Sequence, residues 1–64
     1  MCEARVIIQD AEGHEVEAID DITTIVPEDG RLKLFDLYGG HRVVEAQLKE
    51  VRLLDHTVVL ANRS

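Results

Sequence analysis

A chain of 64 residues with one cysteine has no covalent means of holding itself together. Domains below about 80 residues usually depend on disulfides, a metal or oligomerisation, because a small core buries only about 60% of the surface that the unfolded chain exposes. Cys2 closes no internal disulfide, and the three histidines, His14, His41 and His56, are scattered. By elimination, oligomerisation is the expected support. Charge narrows the partners. Thirteen Asp and Glu against seven Lys and Arg leave a net charge of −6, which repels phosphate and argues against nucleic acid and anionic membranes. With only Phe35 and Tyr38 aromatic, there is no platform for stacking bases. No segment approaches the roughly 18 apolar residues of a membrane span. The opening residues lack a basic stretch followed by an apolar run, so no signal peptide is expected. Together with the lone thiol, this points to a cytoplasmic protein.

The apolar residues fall in short β-branched runs between turn signals. Cys2, Ala4, Val6 and Ile8 share one parity, with Glu3 and Arg5 on the other, the alternation of a strand with one buried face. Gly13 ends a turn, and His14 to Ile19 alternates again, completing a hairpin. Ile22 to Val26 forms a third run, expected to stop at Pro27, which cannot donate to a ladder. Gly30 is expected at positive φ in the next turn. The inward parity of Leu32 and Leu34 passes to Phe35 and Leu37, which suggests a bulge near Leu34–Phe35. Arg42 to Leu54 fits either a helical face through Val44, Leu48 and Val51 or two strands bent at Lys49-Glu50. Thr57 to Ala61 reads as the last strand. Short strands at regular spacing indicate an all-β domain, a small antiparallel β-barrel or sandwich of about six or seven strands covering residues 1–64. The strands are expected near Cys2–Gln9, His14–Ile19, Ile22–Val26, Arg31–Asp36, Arg42–Leu48, Val51–Leu54 and Thr57–Ala61. The expected core is Val6, Ile8, Val16, Ile22, Leu32, Leu34, Val44, Leu48, Val51, Leu53, Val58 and Leu60. Apolar residues of the opposite parity, Ile7, Val43 and Val59, call for a second cover, and a two-fold partner is the commonest one.

No catalytic constellation is present. Gly39-Gly40 lacks the continuation of a phosphate loop, and there is no Cys-x-x-Cys or His-x-x-x-His. Ser64 is the one serine. The pairs Asp20-Asp21 and Glu28-Asp29 read as solubilising, since neighbours on a strand point to opposite faces. The chain is therefore not expected to be an enzyme, and its size leaves little room for a pocket of a few hundred Å³. The one residue with chemistry is Cys2. Following Met1, it sets a thiol beside a free α-amine and a backbone amide, groups that titrate near pH 8 to 8.5 in the case of the amine and thiol. A late divalent metal can displace such protons, and closely packed nitrogen and sulfur donors suit nickel or copper in tetragonal geometry. One chain supplies too few donors; two chains sharing a two-fold axis supply enough. The alternative for Cys2 is a small apolar residue at the head of the first strand.

The opening Met1-Cys2-Glu3-Ala4-Arg5-Val6 resembles the CooT family of small nickel-binding proteins, named from an accessory protein of carbon monoxide dehydrogenase maturation. Phe35-Asp36-Leu37-Tyr38-Gly39 matches that family's mid-chain segment, and Leu48-Lys49-Glu50-Val51 with Thr57-Val58-Val59-Leu60 follows its tail. The resemblance implies a small all-β homodimer with one Ni(II) bound between chains through Cys2, and it favours two strands over a helix in Arg42–Leu54. The function it implies is a nickel carrier or buffer serving a nickel enzyme such as carbon monoxide dehydrogenase. With Cys2, the Met1 amine is the expected nitrogen donor. The alternative function is a metal-free β-barrel interaction module whose apolar surface binds a partner.

Overall fold

The computed structural model describes residues 3–63. Six strands, β1 (Ala4–Gln9), β2 (Glu15–Glu28), β3 (Arg31–Asp36), β4 (His41–Val44), β5 (Ala46–Arg52) and β6 (Thr57–Asn62), form one sheet in the order β4-β3-β2-β1-β6-β5. The sheet is curled into a half-barrel and, among the described residues, there is no α-helix; a single 3₁₀ turn, Leu53–Asp55, precedes β6. The all-β expectation holds. The pairings are antiparallel except one: β1 and β6 run parallel, with Val6 opposite Val58 and Ile8 opposite Leu60. Parallel neighbours need a long connection, and here four strands supply it.

Two strands expected on either side of Asp20-Asp21 are one strand. The first part of β2 pairs with β1 and the second part with β3, and Ile22 is opposite both Ala4 and Asp36. Between Ile19 and Ile22, β2 has two residues where β1 has only Arg5. The two aspartates form a bulge there rather than a break. Asp21 takes a left-handed φ of 62°, and its carbonyl accepts the Leu37 N–H at 2.9 Å. The Asp20 carboxylate accepts from Arg5 Nε at 2.8 Å. Such bulges bend a strand, which lets β2 serve two neighbours in different directions. The bulge expected at Leu34–Phe35 lies on the partner instead, where Thr23 is extra between Ile22 and Thr24. Pro27 does not end the strand. It pairs with Leu32 in the part of β2 that has left β1, where one side is an open edge and a missing donor costs little. The turn that follows has Asp29 at φ 52° and Gly30 at φ 75°, the two positive values of a type I′ hairpin.

In the ambiguous stretch the two-strand form is found, but its break falls at Glu45, so the expected Arg42–Leu48 and Val51–Leu54 strands become β4 and β5. The bend at Lys49 is a bulge inside β5, between Leu48 opposite Leu60 and Glu50 opposite Val59. β4 and β5 follow one another across Glu45 alone, yet they are the two outer strands of the sheet. Two residue steps span at most roughly 7 Å, so the sheet must curl until its edges meet at Val44 and Ala46, both buried. Arg63 N donates to the Glu45 carbonyl at 2.9 Å and Arg31 Nε pairs with the Glu45 carboxylate at 2.7 Å. Arg42 holds both oxygens of Glu17 from across the curl.

The core is Val6, Ile8, Ile22, Leu32, Leu34, Val44, Ala46 and Leu60, with Val59 buried as well. Ala46 and Val59 were not expected in it. Four expected members are exposed. Val16 is the extra residue of a bulge opposite Ile8–Gln9 and has lost its inward parity. Leu48 and Val51 lie on the outer strand β5, and Leu53 on the turn after it, where no further layer covers them. Val58 is half-buried against the core. Of the second parity, Val59 and Ile7 are already shielded within the chain, and Val43 remains exposed.

Asp36 organises the β3–β4 turn. Its Oδ1 accepts the N–H groups of Tyr38 and Gly40, both at 2.8 Å. Gly39 sits at φ 90°, and a Cβ on Gly40 would lie 2.8 Å from Asp36 Oδ2. Gly39→Val should therefore cost about 1–3 kcal/mol, the usual range for a forced left-handed residue, measured by urea unfolding. Leu34→Ala, at a fully buried position, should cost about 2–5 kcal/mol in the same assay.

Candidate functional site

The pinch at Glu45 closes one end of the half-barrel and leaves the other open. At the open end Ala4 of β1, Ile22–Ile25 of β2, Val51–Arg52 of β5, Leu53 and His56 of the turn, and Thr57–Val58 of β6 line a groove of about 460 Å³, with Glu3 at its mouth. The lining is mainly apolar and its floor includes the core residue Ile22. The expectation that so short a chain leaves little room for such a space does not hold. A sheet joined at one end and splayed at the other makes a concavity without needing a large core. The signal in the sequence was the apolar run Val51 to Leu54, which reads as core but sits on an outer strand and its turn.

His56 caps the 3₁₀ turn in left-handed geometry, φ 51° and ψ 41°, and its N–H donates to the Leu53 carbonyl. Its own carbonyl accepts the Arg5 N–H at 2.9 Å. The start of β1 is thereby fastened to the turn that borders the groove. Cys2 and Met1, the expected metal ligands, lie outside the described residues. The chain reaches them from Glu3, at the groove's mouth.

Among the described residues, one group of three metal-type side chains converges: Asp10, Glu12 and His14, with ligand atoms within 4.8 Å of one another. It occupies the β1–β2 turn, at the other end of β1 from Glu3. His14 Nδ1 lies 3.6 Å from Asp10 Oδ2 and 3.8 Å from Glu12 Oε1. Asp10 Oδ1 accepts the N–H groups of His14 and Glu12, each at 2.9 Å. The His14 backbone bond is the main reason the Asp10 carboxyl is held below its ordinary range. One Asp10 oxygen is thus committed to turn geometry, so the arrangement is explained by the hairpin without an ion. The alternate spacing of Asp10, Glu12 and His14 was the available sign in the sequence that they would converge. His41 packs beside Phe35, ring centroids 6.0 Å apart. The three histidines thus stand at three separate places, as their spacing implied.

No helix among the described residues is long and apolar enough to cross a membrane. No curated protein matches the chain. Its fold is similar to the crystal structure of a protein ascribed to CooT from Carboxydothermus hydrogenoformans, with a TM-score of 0.79 and 23% sequence identity over 98% of this chain and 100% of that one. At that identity the likeness establishes the fold. The family model described as CO dehydrogenase accessory protein CooT matches residues 1–61, nearly the whole length and including the Met1-Cys2 opening. The chain belongs to the CooT family of CO dehydrogenase accessory proteins.

Proposed function

We propose that the chain is a nickel carrier or buffer that acts as a homodimer in the cytoplasm and supplies a nickel enzyme such as CO dehydrogenase. One Ni(II) is held between two chains by the two Cys2 thiolates, with backbone nitrogen donors from the N-terminus, the Met1 amine among them. The observation that carries this reading is the family match starting at residue 1, since it includes the chain's one thiol. The donor chemistry supports it. Each chain offers a compact chelate at little ordering cost, and two chains complete four donors, which suits square-planar nickel. A site shared at a chain end can release its ion more readily than a closed four-ligand cage. The acidic surface favours cations near the protein. The role is an accessory one, handing on metal rather than performing catalysis.

The apolar groove gives the metal-free interaction module its specific support, and one titration separates the two readings. Adding Ni(II) should produce thiolate-to-metal charge-transfer absorption that saturates at one ion per two chains and is lost in Cys2→Ser. Affinity should fall steeply as pH drops below neutral, because protons compete for sulfur and nitrogen. Changing His14, His41 and His56 to Ala should leave the absorption in place. An N-terminal tag should weaken binding if the Met1 amine is a donor. One nickel per chain, or full affinity in Cys2→Ser, would overturn the site.

A further inference from the structure

We propose that the outer face of β3, centred on Lys33, docks a protein segment that presents one carboxylate between apolar side chains. This surface lies beyond the metal chemistry and does not depend on it. Alternation sets the face. Leu32 and Leu34 are buried, so Lys33 and Phe35 point away from the core. Their register partners point the same way. Val26 of β2 and Val43 of β4 flank Lys33, and Thr24 and His41 flank Phe35. The result is two adjoining rows, Val26–Lys33–Val43 and Thr24–Phe35–His41. Both valines are exposed, while Lys33 and Phe35 are half-buried. The Lys33 ammonium stands 5.6 Å from the centre of the Phe35 ring.

Charge singles this face out. Seven Lys and Arg stand against thirteen Asp and Glu, and all but one of the seven meet an oxygen within the chain. Arg5, Arg31, Arg42 and Arg52 pair with Asp20, Glu45, Glu17 and Glu50. Lys49 reaches the Gln9 amide oxygen, and Arg63 the Gly30 carbonyl. Lys33 is the remaining cation, and among the described residues its partner is a ring rather than an oxygen. No Asp or Glu stands in either row, and Glu28 lies in the next one, opposite Arg31. Repulsion from the chain's other carboxylates is screened over about 8 Å at physiological salt, so a carboxylate arriving on this face meets Lys33 first. The valines sit one strand spacing, about 4.8 Å, to either side of it. A segment laid across the three strands therefore matches the row when apolar, acidic and apolar side chains share one side. None of Val26, Lys33, Phe35, His41 and Val43 lines the open-end groove, so this surface is distinct from it.

The test titrates the full-length, isotope-labelled protein with the blocked peptide acetyl-Val-Thr-Glu-Thr-Val-amide and follows its amide NMR shifts. In an extended peptide the two Val and the Glu share one side. The shifts should concentrate on Val26, Lys33, Phe35 and Val43. Replacing the peptide's Glu by Gln should weaken binding about two- to fivefold, the range of one exposed ion pair. Lys33→Met, which keeps a long apolar stem, should weaken the Glu peptide by the same factor and leave the Gln peptide unchanged. Lys33→Gln makes the same comparison should the Met variant lose its strand spectrum in circular dichroism. Lys49→Met, a cation on β5, should leave binding unchanged. Acetate at equal concentration should produce smaller shifts. Equal binding of the Glu and Gln peptides, or undiminished binding in Lys33→Met, overturns the surface. So do shifts as large with acetate, or no shifts on this face.

Discussion

The structure depends on how little chain separates β4 from β5. One residue, Glu45, carries the backbone from one edge of a six-stranded sheet to the other. No flat sheet permits this, because six strands side by side span about 24 Å between their outer members at the usual spacing. The curl, the enclosed core and the burial of Val44 and Ala46 all follow from that short passage. Glu45 is itself held from two directions, through its carbonyl by Arg63 and through its carboxylate by Arg31. The ion pair is exposed and contributes only about 0–1 kcal/mol. The backbone bond matters more, because it joins the end of the chain to the point of closure.

Bulges distribute the bending. Val16, Asp20-Asp21 and Thr23 interrupt the register along β2, and Lys49 does so along β5. Each breaks the strict alternation that a strand needs to bury one face, and each is accompanied by a compensating contact or a change of face. Lys49 is informative. Its ammonium reaches Gln9 Oε1 at 2.5 Å, while Leu48 and Val51, three residues apart, both stand opposite inward residues of β6. A barrel with long bent strands can therefore be made from a short sequence, at the cost of a rim that its own side chains do not cover.

Parity carried much of this in the sequence. Cys2 to Gln9 alternates apart from Ile7, Arg31 to Leu34 alternates throughout, and the residues they mark as inward, Val6, Ile8, Leu32 and Leu34, are buried. Gly13, Gly30 and Gly39 marked turns that need positive φ. What was not legible has a common physical origin. Periodicity tells which residues share a face but not whether another layer lies over that face. Leu48, Val51 and Leu53 have core-like patterning on the outermost strand and its turn, and remain exposed. Nor does it show pairing between distant strands, so the parallel β1–β6 contact and the edge positions of β4 and β5 were hidden. Pro27 misled because its penalty depends on whether the lost donor faces a neighbour. At the candidate site, the chemistry of Cys2 was visible from residue type and position, whereas the groove arises only from the splayed geometry of the sheet.

The parallel pairing of β1 with β6 has a consequence for the order in which the molecule assembles. Arg5 stands opposite Thr57, so the central contact of the sheet joins residues from the two extremes of the chain. During synthesis β1 emerges first, yet one of its two flanks stays unpaired until Thr57–Asn62 has left the ribosome. Hairpins β1–β2, β2–β3 and β3–β4 can form early from local contacts, while the last strand must insert between β1 and β5 to complete the sheet. Topologies dominated by such distant contacts fold slowly, in milliseconds to seconds. The strand β1 therefore completes its pairing on both sides only after β6 has been made.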